Sequence, residues 1–184
     1  MRRKDRAVTD ESWIIRFLQT APYGALATVH GDQPFINSNL FVYNVDKHVI
    51  YVHTAHVGRT VANVATHDET APVCFSVFNM GRLLPAERAL EFSTEYEGVV
   101  VFGKATIVQD RNEAAEALQL LLDKYAPHLK PGRDYRPITD DELKRTSVFR
   151  ISISSWTGKK KAVEANFEGA YRFEDILTQA ETSA

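Results

Sequence analysis

Residues 23–53 run YGALATVHGDQPFINSNLFVYNVDKHVIYVH, from Tyr23 to His53. Stretches rich in β-branched and aromatic residues alternate here with short turn signals. Tyr23–Val29 reads as a strand, His30–Pro34 as a turn and Phe35–Tyr43 as a second strand. Asn44–Lys47 turns the chain again, and Val49–His53 reads as a third strand. A parallel crossover needs about a dozen residues or more, so turns this short imply antiparallel pairing.

Outward from this segment the pattern continues. Upstream, Thr9 is placed to cap a helix over about residues 10–20, with Trp13, Ile14, Phe17 and Leu18 on one face and Pro22 beyond its end. Downstream, Gly58–Thr66 suits a short helix and Ala71–Phe78 a fourth strand. Asn79–Ser93 is looser, and Gly98–Val108 reads as a fifth strand. Asn112 is placed to cap a helix over about residues 113–125, whose Ala114, Ala117, Leu118, Leu121, Leu122 and Tyr125 form an apolar stripe. Residues 127–146 read as a loop, with a helical turn capped by Asp140, Asp141 and Glu142, and Ser147–Trp156 as the last strand. The polar end from about Leu177 reads as frayed. No repeat or linker divides the chain. One domain is expected over residues 1–184, with its core at about 10–160 and a tail at about 161–184. The expected class is mainly β (α+β), a six-stranded antiparallel barrel with peripheral helices, because closure removes exposed sheet edges.

Composition narrows the function classes. The 184 residues are 44% apolar and 25% charged, which excludes a disordered or collagen-like chain. Lys and Arg number 22 against 24 Asp and Glu, a net charge of −2, so no bulk basic field draws nucleic acid or a membrane. The single cysteine, Cys74, has no internal disulfide partner and reads as a small buried residue. No apolar run approaches the roughly 18–20 residues that span a bilayer, and the basic start has no apolar run behind it. A soluble, cytoplasmic protein is expected.

The stretch Tyr51-Val52-His53-Thr54-Ala55-His56-Val57-Gly58-Arg59-Thr60 carries the most chemistry. A strand runs out, Gly58 permits a close approach, and a helix begins. The first N–H groups of a helix lack intrahelical partners, and with the dipole they attract anions. Arg59 adds a planar, permanent charge able to hold two phosphate oxygens. Thr54 and Thr60 add hydroxyls, and His53 or His56 a ring N–H. The pattern is either a phosphate site or a helix cap beside a surface Arg. It is not a Walker A loop, which needs a Gly-rich run ending in Lys-Ser/Thr. Asn37, Ser38 and Asn39 form an unusual polar strand centre. Buried, they need partners such as a flat heterocycle; on an exposed edge they need none. Trp156 followed by Lys159-Lys160-Lys161 is either the rim of an anionic ring ligand or a solvated basic turn. No metal is expected, since His53 and His56 leave a strand and no His-Glu-x-x-His helix exists.

These segments, in this order, resemble the pyridoxamine 5′-phosphate oxidase-like family of FMN-binding split β-barrels, and within it the nitroimidazole-resistance branch. The resemblance covers roughly Met1 to Lys160. It rests on Met1–Arg6, Gly24–Thr28, Val49–Arg59, Val99–Ala105 and Trp156–Lys159. It implies that His53–Thr60 grips the FMN phosphate, with Arg59 as the usual Arg and Thr54 as the usual hydroxyl. It implies that Asn37, Ser38 and Asn39 line the flavin ring, and that Trp156 and Lys159 reach the cofactor. It also implies that His53 lies near the flavin as a catalytic or positioning group, and that two chains form a homodimer sharing two flavin sites. This chain departs from the family at Thr60, where Lys is usual, and at Glu97-Gly98, where the branch carries Arg-Ser. The expected activity is electron or hydride transfer to a small flat nitroaromatic or heterocyclic molecule. The alternatives are a non-catalytic flavin- or haem-binding module, a deazaflavin-dependent relative and a ligand-free dimerisation domain.

Overall fold

The computed structural model describes residues 3–67 and 69–182. Its strands are β1 (Ala7–Val8), β2 (Gly24–His30), β3 (Gln33–Asn39), β4 (Phe41–Asn44), β5 (Val49–Ala55), β6 (Ala71–Leu84), β7 (Ser93–Ile107) and β8 (Thr146–Lys161). All pair antiparallel in one sheet of order β3-β2-β6-β7-β8-β5-β4, with β1 added beside β8. The two ends of that path, β3 and β4, are one residue apart in the chain, at Leu40. The sheet must therefore curl until its edges meet, although those edges share no ladder: a split barrel.

The split corrects the expected strand Phe35–Tyr43, which breaks into β3 and β4. The break is held from far away in sequence. The Phe41 N–H donates to the Tyr125 hydroxyl at 3.1 Å, and Lys124 Nζ donates to the Phe41 carbonyl at 3.0 Å. The Tyr125 O–H lies 2.8 Å from the Pro22 carbonyl and 3.0 Å from that of Phe41. With both backbone groups of Phe41 satisfied by side chains, the chain can leave one sheet edge and join the other without stranding polar atoms.

The barrel interior is filled by Leu26, Phe41, Ile50, Val52, Phe75, Val99, Val101, Phe149 and Ile151, all buried. The helix α1 (Glu11–Thr20) closes one end with Ile14 and Leu18. Its N-cap is Asp10, which accepts from the Ser12 N–H at 2.9 Å, rather than Thr9. The helix α2 (Arg59–Ala65) packs on β2, β3, β6 and β7 at the other end. The longer α3 (Arg111–Tyr125) lies outside the barrel, with Ala117 against Val49, Tyr51 and Val148. Asp110 caps it, accepting from the Glu113 N–H, so it starts before the expected Asn112.

The hairpin is longer than its residues suggest. β6 and β7 extend to Leu84 and back to Ser93, through a register shift between Met80 and Leu83. Gly81 is needed there, because a Cβ would stand 2.8 Å from Glu95 Cβ. Residues 163–165 strap the extension in place. Arg82 forms a bidentate pair with Glu95 and donates to the carbonyls of Glu164 and Ala165, while the Val163 N–H donates to Glu95. The helical turn expected at Asp140–Glu142 is the short helix α4 (Asp140–Arg145), with Thr139 and Glu142 as its capping box. The helix α5 (Phe173–Thr182) replaces the expected frayed end as far as Thr182; Ser183 and Ala184 lie outside the described residues, as do Met1, Arg2 and Asp68. No described helix is long and apolar enough to cross a membrane.

Candidate functional site

Strand alternation sorts the candidate residues by face. On β5, Val52 points into the barrel and is fully buried, so His53 points out. The strand ends at Ala55, and residues 55–59 are exposed up to the first residue of α2. Gly58 occupies the N-cap with no side-chain hydrogen bond to the helix. Among the described residues, no side chain caps the leading N–H groups of α2. Arg59 is exposed and forms no ion pair or hydrogen bond with another described residue. A free guanidinium beside uncapped amides is the donor set that suits a phosphate ester.

The neighbouring candidates divide. Thr54 donates its hydroxyl to the Ala55 carbonyl at 2.9 Å, leaving its oxygen lone pairs. Thr60 turns inward, at 4% exposure, with Asn63 at 1%. Asn63 Nδ2 donates to Thr28 Oγ1 at 2.8 Å, tying α2 to the barrel end. His56 is held in the turn: its N–H donates to the Arg145 carbonyl, and its Nδ1 lies 3.2 Å from Ser147 Oγ.

The polar centre of β3 also splits by face. Ser38 pairs with Ala25 and is exposed. Asn37 and Asn39 sit opposite Leu26 and Gly24, on the inward side. Asn39 is buried, and its Oδ1 has no hydrogen-bond partner. Asn63 Oδ1 and Thr106 Oγ1 are buried without a described partner in the same way, so this acceptor does not by itself mark a ligand site.

Three positions separate Trp156 from Lys159, so they face opposite ways on β8. Trp156 packs edge-on against Tyr43, with centroids 6.0 Å apart, and against His48 at 4.8 Å, close to α1. Lys159 is exposed and lines an outer hollow of about 680 Å3 with Phe78, Met80, Gly98 and Phe102. Within one chain Trp156 does not meet the other candidates. Glu97 is matched by Lys160, 2.7 Å away, so its charge is not left facing that hollow alone. Cys74 is half-buried, and burial pushes its thiol pKa up, as for an unreactive residue.

Two features were not read from the residues. The outer face of the sheet carries an apolar row, with Ile36, Phe78 at 64% exposure, Met80 and Phe102 at 49%. The alternation of β6 and β7 contains that row, but nothing in it says which face lies outside. Second, His53 opens on a groove of about 330 Å3 walled by Leu40, Leu118, Leu121, Leu122, Tyr125 and Ile138. The α3 stripe suggests core for these leucines; only the path of residues 126–139 leaves part of the stripe uncovered. Burial pushes the His53 pKa below its usual value although one edge of the ring meets solvent.

The split barrel, its helix-capped end and the exposed Arg59 turn define a class. The family model of pyridoxamine 5′-phosphate oxidase matches residues 10–160, and the chain belongs to that family. Among solved structures, the chain is similar to the flavocytochrome Anf3 from Azotobacter vinelandii, at 22% identity and a TM-score of 0.76, over 97% of this chain and 77% of that one. It is similar to a FAD and heme binding protein from Mycobacterium smegmatis, at 22% identity and a TM-score of 0.73, over 94% and 80%. It is also similar to a candidate 5-nitroimidazole antibiotic resistance protein from Bacteroides thetaiotaomicron, at 17% identity and a TM-score of 0.67, over 84% and 86%. At these identities the likeness is one of fold. No curated protein matches the chain significantly.

Proposed function

We propose that this protein is a cytoplasmic flavoprotein that binds FMN and works as a homodimer. Its proposed activity is the transfer of electrons or hydride to a small flat nitroaromatic or heterocyclic molecule. The observation that carries the reading is Arg59, an unpaired cation at the uncapped start of α2 on an exposed turn. Arg59 and the N–H groups of Gly58–Thr60 hold the phosphate, with the Thr54 oxygen beside them. Ser38 and Lys159 reach the ring from the outer face; Asn39, expected to line the ring, lies on the inner side of β3 and does not share that face. Trp156, on the inner side of β8, contributes by supporting the strand. The flavin supplies the redox chemistry when bound. The chain supplies orientation, and at His53 a neutral imidazole able to place or pass a proton.

Flavin binding draws support from family membership and from the flavin named in the solved relatives. The test is an absorbance spectrum of purified protein, then titration of the apoprotein with FMN and with FAD. Yellow protein, or saturable uptake of FMN, is expected. Arg59→Ala should weaken FMN about 10-fold or more, since a charge-assisted contact is worth about 1.5–3 kcal/mol. Colourless protein that takes up neither flavin overturns the reading, and unchanged affinity in Arg59→Ala overturns the phosphate assignment.

A second reading, a haem-binding or storage module without turnover, is favoured by His53 facing an apolar groove. Of the solved relatives, one is a FAD and heme binding protein and another a flavocytochrome. Hemin titration separates it from the first.

A further inference from the structure

Three rings meet where no strand covers one edge of β8. On that edge β8 pairs with β5 up to Ser152, and β1 joins it only from Gly158, so residues 153–157 face no strand there. A bulge lies in the same stretch. Phe102 pairs with Ser155 and Gly103 with Ile153, which leaves Ser154 with no residue opposite. A Cβ at position 103 would collide with the Ser152 carbonyl oxygen, so Gly103 lets β7 follow the bulge. Ile151 and Ile153 pack on the core, so strict alternation would turn Trp156 outward; the extra residue turns it inward. There the rings of Tyr43, His48 and Trp156 stand at 70° to 79° to one another, with centroids 4.8 to 6.0 Å apart. The Tyr43 hydroxyl lies 2.9 Å from His48 Nδ1, which orients both rings. His48 holds its place at a φ of 52°, a left-handed conformation that favours Gly. All three rings line a hollow of about 470 Å3 with Glu11, whose carboxylate forms no ion pair or hydrogen bond with a described residue.

We propose that this hollow binds a small organic ammonium cation, its charge set against the Tyr43, His48 and Trp156 rings and balanced by the Glu11 carboxylate. The proposal goes beyond the flavin reading, since Glu11, Tyr43 and His48 take no part in the proposed FMN site. Aromatic faces attract a cation through their quadrupoles, an indole most strongly. Among the described residues no Lys or Arg lines the hollow, and Glu11 is its one carboxylate, so local charge favours a cation over an anion. The hydroxyls of Ser154 and Ser155 at the bulge have no described partner and add acceptors at the rim. A bare metal ion would need several oxygen or nitrogen ligands, and no such group exists among the described residues. Rings with a single carboxylate suit an alkylammonium instead, whose charge is spread over apolar carbons. The volume lies within the range of small-ligand sites.

The test uses the full chain, as purified and again with added FMN, at about pH 8, where an ordinary imidazole is neutral. The probes are choline and 3,3-dimethylbutan-1-ol, which has the same shape without the charge. Binding is followed through the indole N–H signals in heteronuclear NMR. Trp156→Phe assigns them, because Trp13 is the only other tryptophan. Choline should shift the Trp156 signal saturably and bind about 5-fold more tightly than the alcohol. Glu11→Gln should weaken choline about 3-fold and leave the alcohol unchanged. His48→Asn removes a ring yet suits a left-handed backbone, and should weaken choline by a similar factor. FMN affinity should be unchanged in both variants, which also shows that they fold. Equal binding of choline and the alcohol overturns the proposal, as does choline affinity unchanged in Glu11→Gln and His48→Asn. Loss of choline binding on adding FMN overturns it too, giving Trp156 to the flavin. If choline binds as expected and FMN does not bind, this site stands and the flavin reading falls.

Discussion

Arg59 and Thr60 are neighbours with opposite fates. The first turn of α2 points Arg59 to solvent and Thr60 into the barrel end, where Asn63 and Val64 join it. Thr60, where the resemblance leads one to expect a second cation, is therefore a packing residue, and in the proposed FMN site the phosphate would be met by Arg59 and backbone amides alone. His53 shows the same dependence on direction. Its outward position on β5 exposes one edge, while the walls of the groove desolvate the rest and favour the neutral ring. Because folding lowers this pKa, the unfolded chain takes up the proton first as pH falls. The contribution of His53 to stability is thus present above pH 6.5 and declines below it. Proton NMR of the folded protein should give a His53 ring titration midpoint below 6.5; a midpoint above it would mean that a carboxylate, such as Glu142 across the groove, dominates.

Among elements, the β6–β7 hairpin and the strap that follows β8 act together. Glu95 accepts from Arg82 and from the Val163 N–H, and the Arg82 hydrogen bond holds its carboxyl at about 2, well below its usual range. That depressed pKa gives a stabilising contact present above pH 4.5 and lost as pH falls toward 2. Glu95→Gln removes the charge and one arm of the bidentate pair. Amide exchange at residues 163–171 should accelerate severalfold in this variant, with β2 and β5 unaffected. Uniform acceleration across the barrel would show that the strap holds the whole fold rather than its own segment.

For the whole molecule, barrel closure and the outer face decide what the chain can do. Tyr125 and Lys124, at the end of α3, hold the Leu40–Phe41 break that lets the two sheet edges meet. The same closure turns Phe78, Met80 and Phe102 outward around the hollow that Lys159 lines, with Ile36 exposed further along the same face. A second copy of the chain covering that face is the assembly proposed above, and about 800 Å2 per partner is usual for a stable interface. Phe102→Asp places a charge on an already exposed position, so the monomer should keep its fold. Sedimentation should then show loss of a dimer formed by the parent chain. A parent that is monomeric at micromolar concentration would exclude this assembly.

Much of this was legible in the residues. Strand positions came from runs such as Val49–Val52 and Val99–Val101, because a period of two and β-branching report local backbone preference. The turn carrying Arg59 was legible for the same reason: strand end, Gly58 and helix start are all local signals. The split at Leu40 was not, since its cause is a hydroxyl 84 residues away. Nor was the facing of Thr60, Asn39 or Trp156, or the groove beside His53. The chain by itself determined which residues form strands and where a cation meets a helix start, because those depend on neighbours in sequence. Tertiary structure alone decided which of those residues share a surface, because a strand has two faces and only packing against distant elements makes one of them the inside.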